Sequence, residues 1–196
     1  AVIAFRYNVI GSQAPNEQER VYHTVALQLH RRELATLSSV LAALRPIYRN
    51  DDAFRADFAT KAIKTTQSRN AKIVRYILCR LERRTGGIEF DPDASTYTIE
   101  HVLPQSPNGG WDAFPDRDLE TFVYRLGNMV MLETARNRAL GNKPYAEKRP
   151  ILGQSKLKLT RDLVEENQDW TPERLDKWQQ KLARMATAVW RVAQLS

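Results

Sequence analysis

Tyr97-Thr98-Ile99-Glu100-His101-Val102-Leu103-Pro104 is the stretch on which the fold turns. It is β-branched and aromatic, alternates roughly with period two, and ends at a proline that cannot donate to a sheet, so it reads as a short strand. A polar turn follows at Pro107-Asn108-Gly109-Gly110, then a short helix around Leu119 to Tyr124, then a second apolar run, Asn128-Met129-Val130-Met131-Leu132, flanked by Gly127. Two short strands this close predict a hairpin-like ribbon. Thr134-Ala135-Arg136-Asn137-Arg138-Ala139-Leu140 has helix-forming composition and stops at Gly141. The order is strand, loop, strand, helix.

Outward from the ribbon the pattern is helical. Toward the N-terminus, Asn16 with Glu17 and Glu19 marks a helix start, and Val21, Val25 and Leu29 predict one buried face on a helix running past His30. Leu34, Leu37, Leu41 and Leu44 keep helical spacing up to Pro46, and Asp51 or Asp52 can cap a segment carrying Phe54, Phe58 and Ala62. From about Ala71 a helix carries Ile73, Ile77 and Leu81 on one side and basic residues on the other, with Gly86-Gly87 as its stop. Beyond the ribbon, Pro144 to Leu152 and the stretch after Ser155 predict short helices. Thr171 as cap and Pro172 in the first turn open a long amphipathic helix through Leu175, Leu182, Met185, Val189 and Val192, anchored in the core by Trp178 and Trp190. The fold class is therefore mainly α with a small ββα motif, helices standing before and after a short two-stranded ribbon. We expect a helical lobe over residues 1–90 and a ββα region over 91–196, together one compact domain.

At 196 residues, 42% hydrophobic and 27% charged, the chain can bury a core but cannot be a large multidomain enzyme. No apolar run approaches the roughly 18 residues of a membrane span. The single cysteine, Cys79, excludes an internal disulfide and, with only three histidines, a cysteine-rich zinc site; it reads as a small core side chain in a reducing, cytoplasmic setting. The formal charge of +7 is uneven, because residues 1–89 hold 15 Lys and Arg against 8 Asp and Glu while residues 90–196 balance at 15 each. Two blocks, 61–84 and 134–161, carry 8 basic residues and 1 acidic residue apiece, which suits a polyanion partner as well as solvated helix faces.

One polar set has the spacing of a site: Glu100-His101 closing a strand, Asn128 opening the next 27 residues on, and Asn137 in the following helix nine further. Singly, these could be a polar strand edge and turn residues beside Gly127 and Gly141. Jointly they suit phosphodiester hydrolysis, which needs a base, charge stabilisation at phosphorus and relief of charge on the leaving oxygen. His101 can accept a proton near neutral pH and is the candidate general base. Glu100 offers a hard oxygen ligand, and the amide oxygen of Asn137 or of Asn142 can complete a small oxygen site, favouring Mg²⁺ or Mn²⁺ over zinc; the spacing prefers Asn137. Arg136, Arg138, Lys143, Lys148 and Arg149 surround that helix as candidate phosphate contacts, and His23 and His30 read as structural.

The ordered set resembles the HNH, or His-metal finger, nucleases. Ile99 to Gln105, Arg125-Leu126-Gly127-Asn128 and Asn137 to Tyr145, with Lys148 and Ser155, are similar to the C-terminal nuclease domains of GmrSD-type restriction proteins and their SspE-type relatives. Leu182, Ala186 and Trp190 match that family's closing helix more weakly, and Arg6-Tyr7-Asn8-Val9-Ile10-Gly11 resembles its preceding helical lobe. The resemblance implies an HNH-like ββα-metal site and a metal-dependent DNA endonuclease or nickase serving bacterial restriction of phage or foreign DNA, with Asn128 holding the histidine-bearing strand and ring. It further implies an upstream nucleotide-hydrolysing sensor domain, outside this chain, which would carry any dependence on nucleotide or DNA modification; the absence of an initial Met fits a C-terminal fragment. Asn137, where many HNH enzymes place His, keeps a second reading open: a non-catalytic basic helical DNA-binding or protein-interaction module.

Overall fold

In the computed structural model, which describes residues 1–195, helices carry most of the chain around one two-stranded antiparallel sheet. The helices are α1 (Val2–Ala4), continued by a π-helical stretch over Phe5–Ile10, α2 (Pro15–His30), α3 (Leu37–Leu44), α4 (Asp51–Thr60), α5 (Ser68–Arg84), α6 (Leu119–Val123), α7 (Thr134–Leu140), α8 (Tyr145–Leu152), α9 (Lys158–Glu166) and α10 (Pro172–Val189). Strands β1 (Tyr97–His101) and β2 (Met129–Glu133) pair with Tyr97 opposite Glu133 and His101 opposite Met129. This mainly helical fold with a small ribbon is the class the sequence predicts. Among the described residues no helix is long and apolar enough to cross a membrane.

The chain divides into two compact units, Ala1–Ala59 with the segment from Ala186 onward, and Thr60–Met185. In the first, Arg6 is fully buried: its guanidinium pairs with Asp51 at 2.8 Å, donates to the Trp190 carbonyl at 2.7 Å, and lies 4.4 Å from the ring centres of both Tyr48 and Phe54. A charge so far from water persists because carboxylate, carbonyl and ring faces replace its hydration. Three local expectations change here. The helix over 15–30 ends at His30, where Arg32 turns the chain at φ +61°; its predicted stripe buries Val25 but leaves Leu29 45% exposed. Leu34 lies outside α3, which begins after Thr36 because Thr36 and Ser39 form a capping box. The N–H of Ala53 is capped by Asn50 Oδ1 at 2.8 Å, one residue before the predicted aspartates, which sit in the first turn of α4.

The second unit holds the ribbon. α5 lays Val74, Ile77, Leu78 and Leu81 against β1, β2 and α9, all four essentially buried. Cys79 is buried beside them with its thiol on the Phe90 carbonyl. Arg75, on the flank of α5, donates to the carbonyls of Pro92, Ala94 and Tyr97 and so fastens the loop that delivers β1. The buried Glu82 carboxylate accepts the Lys158 and Leu159 N–H groups, both at 2.7 Å, satisfying donors that the first turn of α9 leaves over. α7 follows β2 without a break and ends at Gly141, whose φ of +53° suits glycine. α10 opens as predicted, with Thr171 Oγ1 accepting the Arg174 N–H at 3.3 Å, and buries Leu175, Trp178 and Leu182.

Candidate functional site

β1 carries Glu100 and His101 to its end, and Asn128 holds that end in place. The Val102 N–H donates to the Asn128 carbonyl at 2.9 Å and the Leu103 N–H to Asn128 Oδ1 at 2.8 Å. Asn128 Nδ2 donates to the carbonyls of Leu103 and Val123 at 2.9 and 3.0 Å, and Trp170 Nε1–H donates to Oδ1 at 3.0 Å. Asn128 is fully buried, so every one of these bonds is made away from water. It therefore ties the exit of β1 to the start of β2, but none of its hydrogen bonds reaches the His101 ring. The residues before it are fixed from α10: Arg125 donates to Gln179 Oε1 and pairs with Asp176, both at 2.8 Å, and the Gly127 N–H reaches Gln179 Oε1 at 3.1 Å.

The ring is placed by residues the motif does not contain. His101 Nε2 lies 3.2 Å from Thr65 Oγ1, just before α5, and the imidazole meets the Tyr124 ring edge-on with 5.8 Å between centres. One cavity of about 330 Å³ then gathers Glu100, His101, Asn137, Asn142 and Lys148, with Pro104 to Ser106 as part of its rim. Asn137 uses both amide protons on β1, donating to Thr98 Oγ1 at 2.9 Å and the Ile99 carbonyl at 3.0 Å, which leaves Oδ1 as its acceptor. Asn142 follows Gly141 and is exposed. The fold thus brings four of the sequence-predicted residues into one cavity with Lys148 and sets Asn128 behind it.

Lys148 departs from its expected place. Predicted among the surface phosphate contacts, it is fully buried, and its Nζ donates to Glu100 Oε1 at 2.6 Å and to the His101 carbonyl at 2.9 Å. Proximity to Glu100 explains this: α8 aims its one fully buried cation at a carboxylate that would otherwise be uncompensated. Burial raises the Glu100 carboxyl and lowers the Lys148 ammonium, and the attraction between the two opposes both shifts. Burial first, and the Lys148 charge second, push His101 down to about 4, so the imidazole is neutral at neutral pH. Among the described residues no group of three His, Cys, Asp or Glu could hold a metal ion.

The other predicted phosphate contacts also separate. Arg138 and Lys143 are exposed, whereas Arg136 is engaged by Gln154 at 3.0 Å and Glu133 at 3.9 Å, and Arg149 Nε donates to the Val164 carbonyl at 3.2 Å. Sequence reasoning missed Thr65, Tyr124, Trp170 and Gln179, which position the site from four separate segments. Only Gln179 left a trace, as a polar residue beside Trp178 on the buried side of an amphipathic helix.

A family model described as GmrSD restriction endonucleases, C-terminal domain, matches residues 48–185. No curated protein matches the chain. The matched span contains the whole cavity and both strands. With most of the chain inside the match, this chain belongs to the GmrSD restriction endonuclease family, whose C-terminal domain it carries.

Proposed function

We propose that the chain is a divalent-cation-dependent endonuclease module of the His-metal finger kind, nicking or cutting phage or other foreign DNA in bacterial restriction, in the cytoplasm and under an upstream nucleotide-hydrolysing sensor domain. The observation that carries this reading is the cavity that joins a neutral imidazole, a carboxylate and two side-chain amides. The donor set fits a hard cation: Asn137 has turned its amide so that Oδ1 remains as acceptor, and Glu100, though Lys148 occupies Oε1, keeps a second oxygen. Mg²⁺ or Mn²⁺ is commonly held by one or two carboxylates, with substrate phosphate and water completing the shell. Glu100 with Asn137 or Asn142 would hold it, and when bound it would neutralise charge developing on the phosphate and leaving oxygen.

His101 takes the proton of the attacking water. Thr65 Oγ1 engages Nε2 and so fixes the ring's orientation, Tyr124 limits its rotation, and Nδ1 is the ring nitrogen left to act as the base. Burial, and the Lys148 charge after it, keep the ring unprotonated, and Lys148 holds the His101 carbonyl so that the strand end does not drift. Arg138 and Lys143 supply surface cations for the backbone.

The deciding experiment is conversion of supercoiled plasmid by the chain and by His101→Ala, each with Mg²⁺, Mn²⁺ or EDTA. Cation-dependent nicking that the variant loses while still binding DNA is the expected result, and unchanged nicking by the variant would sink the assignment. Glu100→Gln and Asn137→Ala should shift the Mn²⁺ titration to higher concentration. The Lys148–Glu100 pair favours one competing reading, a DNA-binding module whose ββα motif is purely structural. That module would retain DNA in EDTA and cut nothing in any metal.

A further inference from the structure

One of the two basic blocks of the sequence lies on α5, away from the cations beside the cavity, and has no part in the chemistry above. Along this helix Arg69, Lys72, Arg80, Arg83 and Arg84 recur at helical spacing with the 41% exposed Tyr76 among them. At 3.6 residues per turn they occupy roughly 120° of the helix, opposite the Val74, Ile77, Leu78 and Leu81 face that packs on the sheet and α9. The sole acidic residue of α5, Glu82, is buried and committed to α9, so nothing negative on this helix interrupts the stripe. Arg75, the remaining cation of α5, faces elsewhere and is spent on loop carbonyls. Arg83 is paired with Glu89 at 2.9 Å, whereas the side chains of the exposed Arg69, Lys72 and Arg84 and of the half-buried Arg80, whose Nε is buried, have no hydrogen-bond or ion-pair partner among the described residues. Thr65, which touches His101, lies four residues before Arg69, in the segment that leads into α5.

We propose that this face of α5 is a phosphate-tracking surface that holds duplex DNA as it leaves the cavity. The proposal rests on the nuclease reading for the identity of the polyanion and adds where the duplex runs. The fifteen steps from Arg69 to Arg84, at a rise of 1.5 Å each, make the stripe about 22 Å long, which spans roughly six base pairs at 3.4 Å each. It touches backbone, not base edges, so it adds affinity without sequence preference. It also makes good the shortage of free cations at the cavity, where only Arg138 and Lys143 stand at the surface unengaged among the described residues.

The test is the salt dependence of binding to a fluorescently labelled 30-base-pair duplex, measured in EDTA on the full chain. Removing one cation that neutralises a phosphate should lower the slope of log K against log salt by about 0.9. Arg69→Gln/Lys72→Gln/Arg80→Gln should therefore flatten it by about 2.7 and weaken binding more than tenfold near physiological salt. Arg20→Gln/Arg31→Gln/Arg55→Gln, which removes the same charge from exposed sites of the first unit, should leave the slope within about 0.5 of the parent. Arg69→Lys/Arg80→Lys should retain the parent slope. An unchanged slope in the stripe variant, or equal flattening in the control, overturns the proposal. If that happens while the parent still nicks plasmid through His101, the surface falls and the nuclease reading stands. If the stripe variant flattens the slope but the parent never cuts, the nuclease reading falls and the surface stands. A parent that binds no duplex removes both.

Discussion

Replacing Asn128 should be among the most damaging single changes available to the second unit. Its side chain makes four buried hydrogen bonds, to the Leu103 N–H, the Leu103 carbonyl, the Val123 carbonyl and Trp170 Nε1–H. Asn128→Ala orphans all four partners, and at about 1 kcal/mol net for each the loss comes to about 4 kcal/mol, a large share of the roughly 5–15 kcal/mol by which a domain is stable. Asn128→Asp is the sharper test, because the size is preserved while an oxygen replaces the donor facing two carbonyls. Its carboxyl must stay protonated to donate, so its folded pKa rises above the unfolded value of about 3.9. The deficit relative to the parent is then smallest below pH about 4 and grows with pH, by up to about 1.36 kcal/mol per unit, until the folded pKa is passed. Urea unfolding followed by circular dichroism at three pH values, about 4, 6 and 8, reads both effects. An Ala variant within about 1.5 kcal/mol of the parent, or an Asp variant whose deficit does not vary with pH, would refute the view that Asn128 fastens the strand exit by donating to those carbonyls.

Three further outcomes follow from the packing. Lys148→Met should cost about 3–5 kcal/mol by stranding the Glu100 carboxylate, and Lys148→Met/Glu100→Gln should recover part of it; strictly additive losses in a double-mutant cycle would show that the pair is not coupled. For Glu133, burial alone would raise the carboxyl, but the Lys156 and Glu133 N–H groups, the Ser155 hydroxyl and the Arg136 charge outweigh it and hold it below the usual range. A lowered folded pKa stabilises above the unfolded value of about 4.3 and is lost as pH falls through the folded one, so Glu133→Gln should have a flatter acid limb in urea unfolding, and parallel limbs would contradict this. Gly127→Ala should destabilise by about 1–3 kcal/mol, since the new Cβ would stand 2.7 Å from Gln179 Cβ and 3.2 Å from the Leu175 carbonyl; an unchanged urea midpoint would mean that α10 yields freely.

What the sequence could reveal was local. Period-two alternation up to Pro104, the glycines at 127 and 141, and the Thr171-Pro172 opening act over a few residues, so both strands, α7 and the start of α10 could be placed within a residue or two, whereas α10 ends at Val189, short of the predicted Val192. The Leu29 expectation failed because periodicity marks a possible buried face and says nothing of what arrives to cover it. The cap of α4 fell at Asn50 rather than Asp51 because all three residues are good caps and only the backbone decides among them.

Residue order was enough to set the helical class, the ribbon, and the succession of Glu100, His101, Asn128 and Asn137 along it. The state of those groups came from three-dimensional packing. Folding delivered Lys148 from 47 residues away to the His101 carbonyl and Glu100, and brought Thr65 from 36 residues upstream to the imidazole. It also turned the Asn137 amide so that its oxygen is the acceptor left over. Charge state and hydrogen-bond role depend on burial and on neighbours a few ångströms away, and a chain packs distant segments together by surface complementarity that no local pattern encodes.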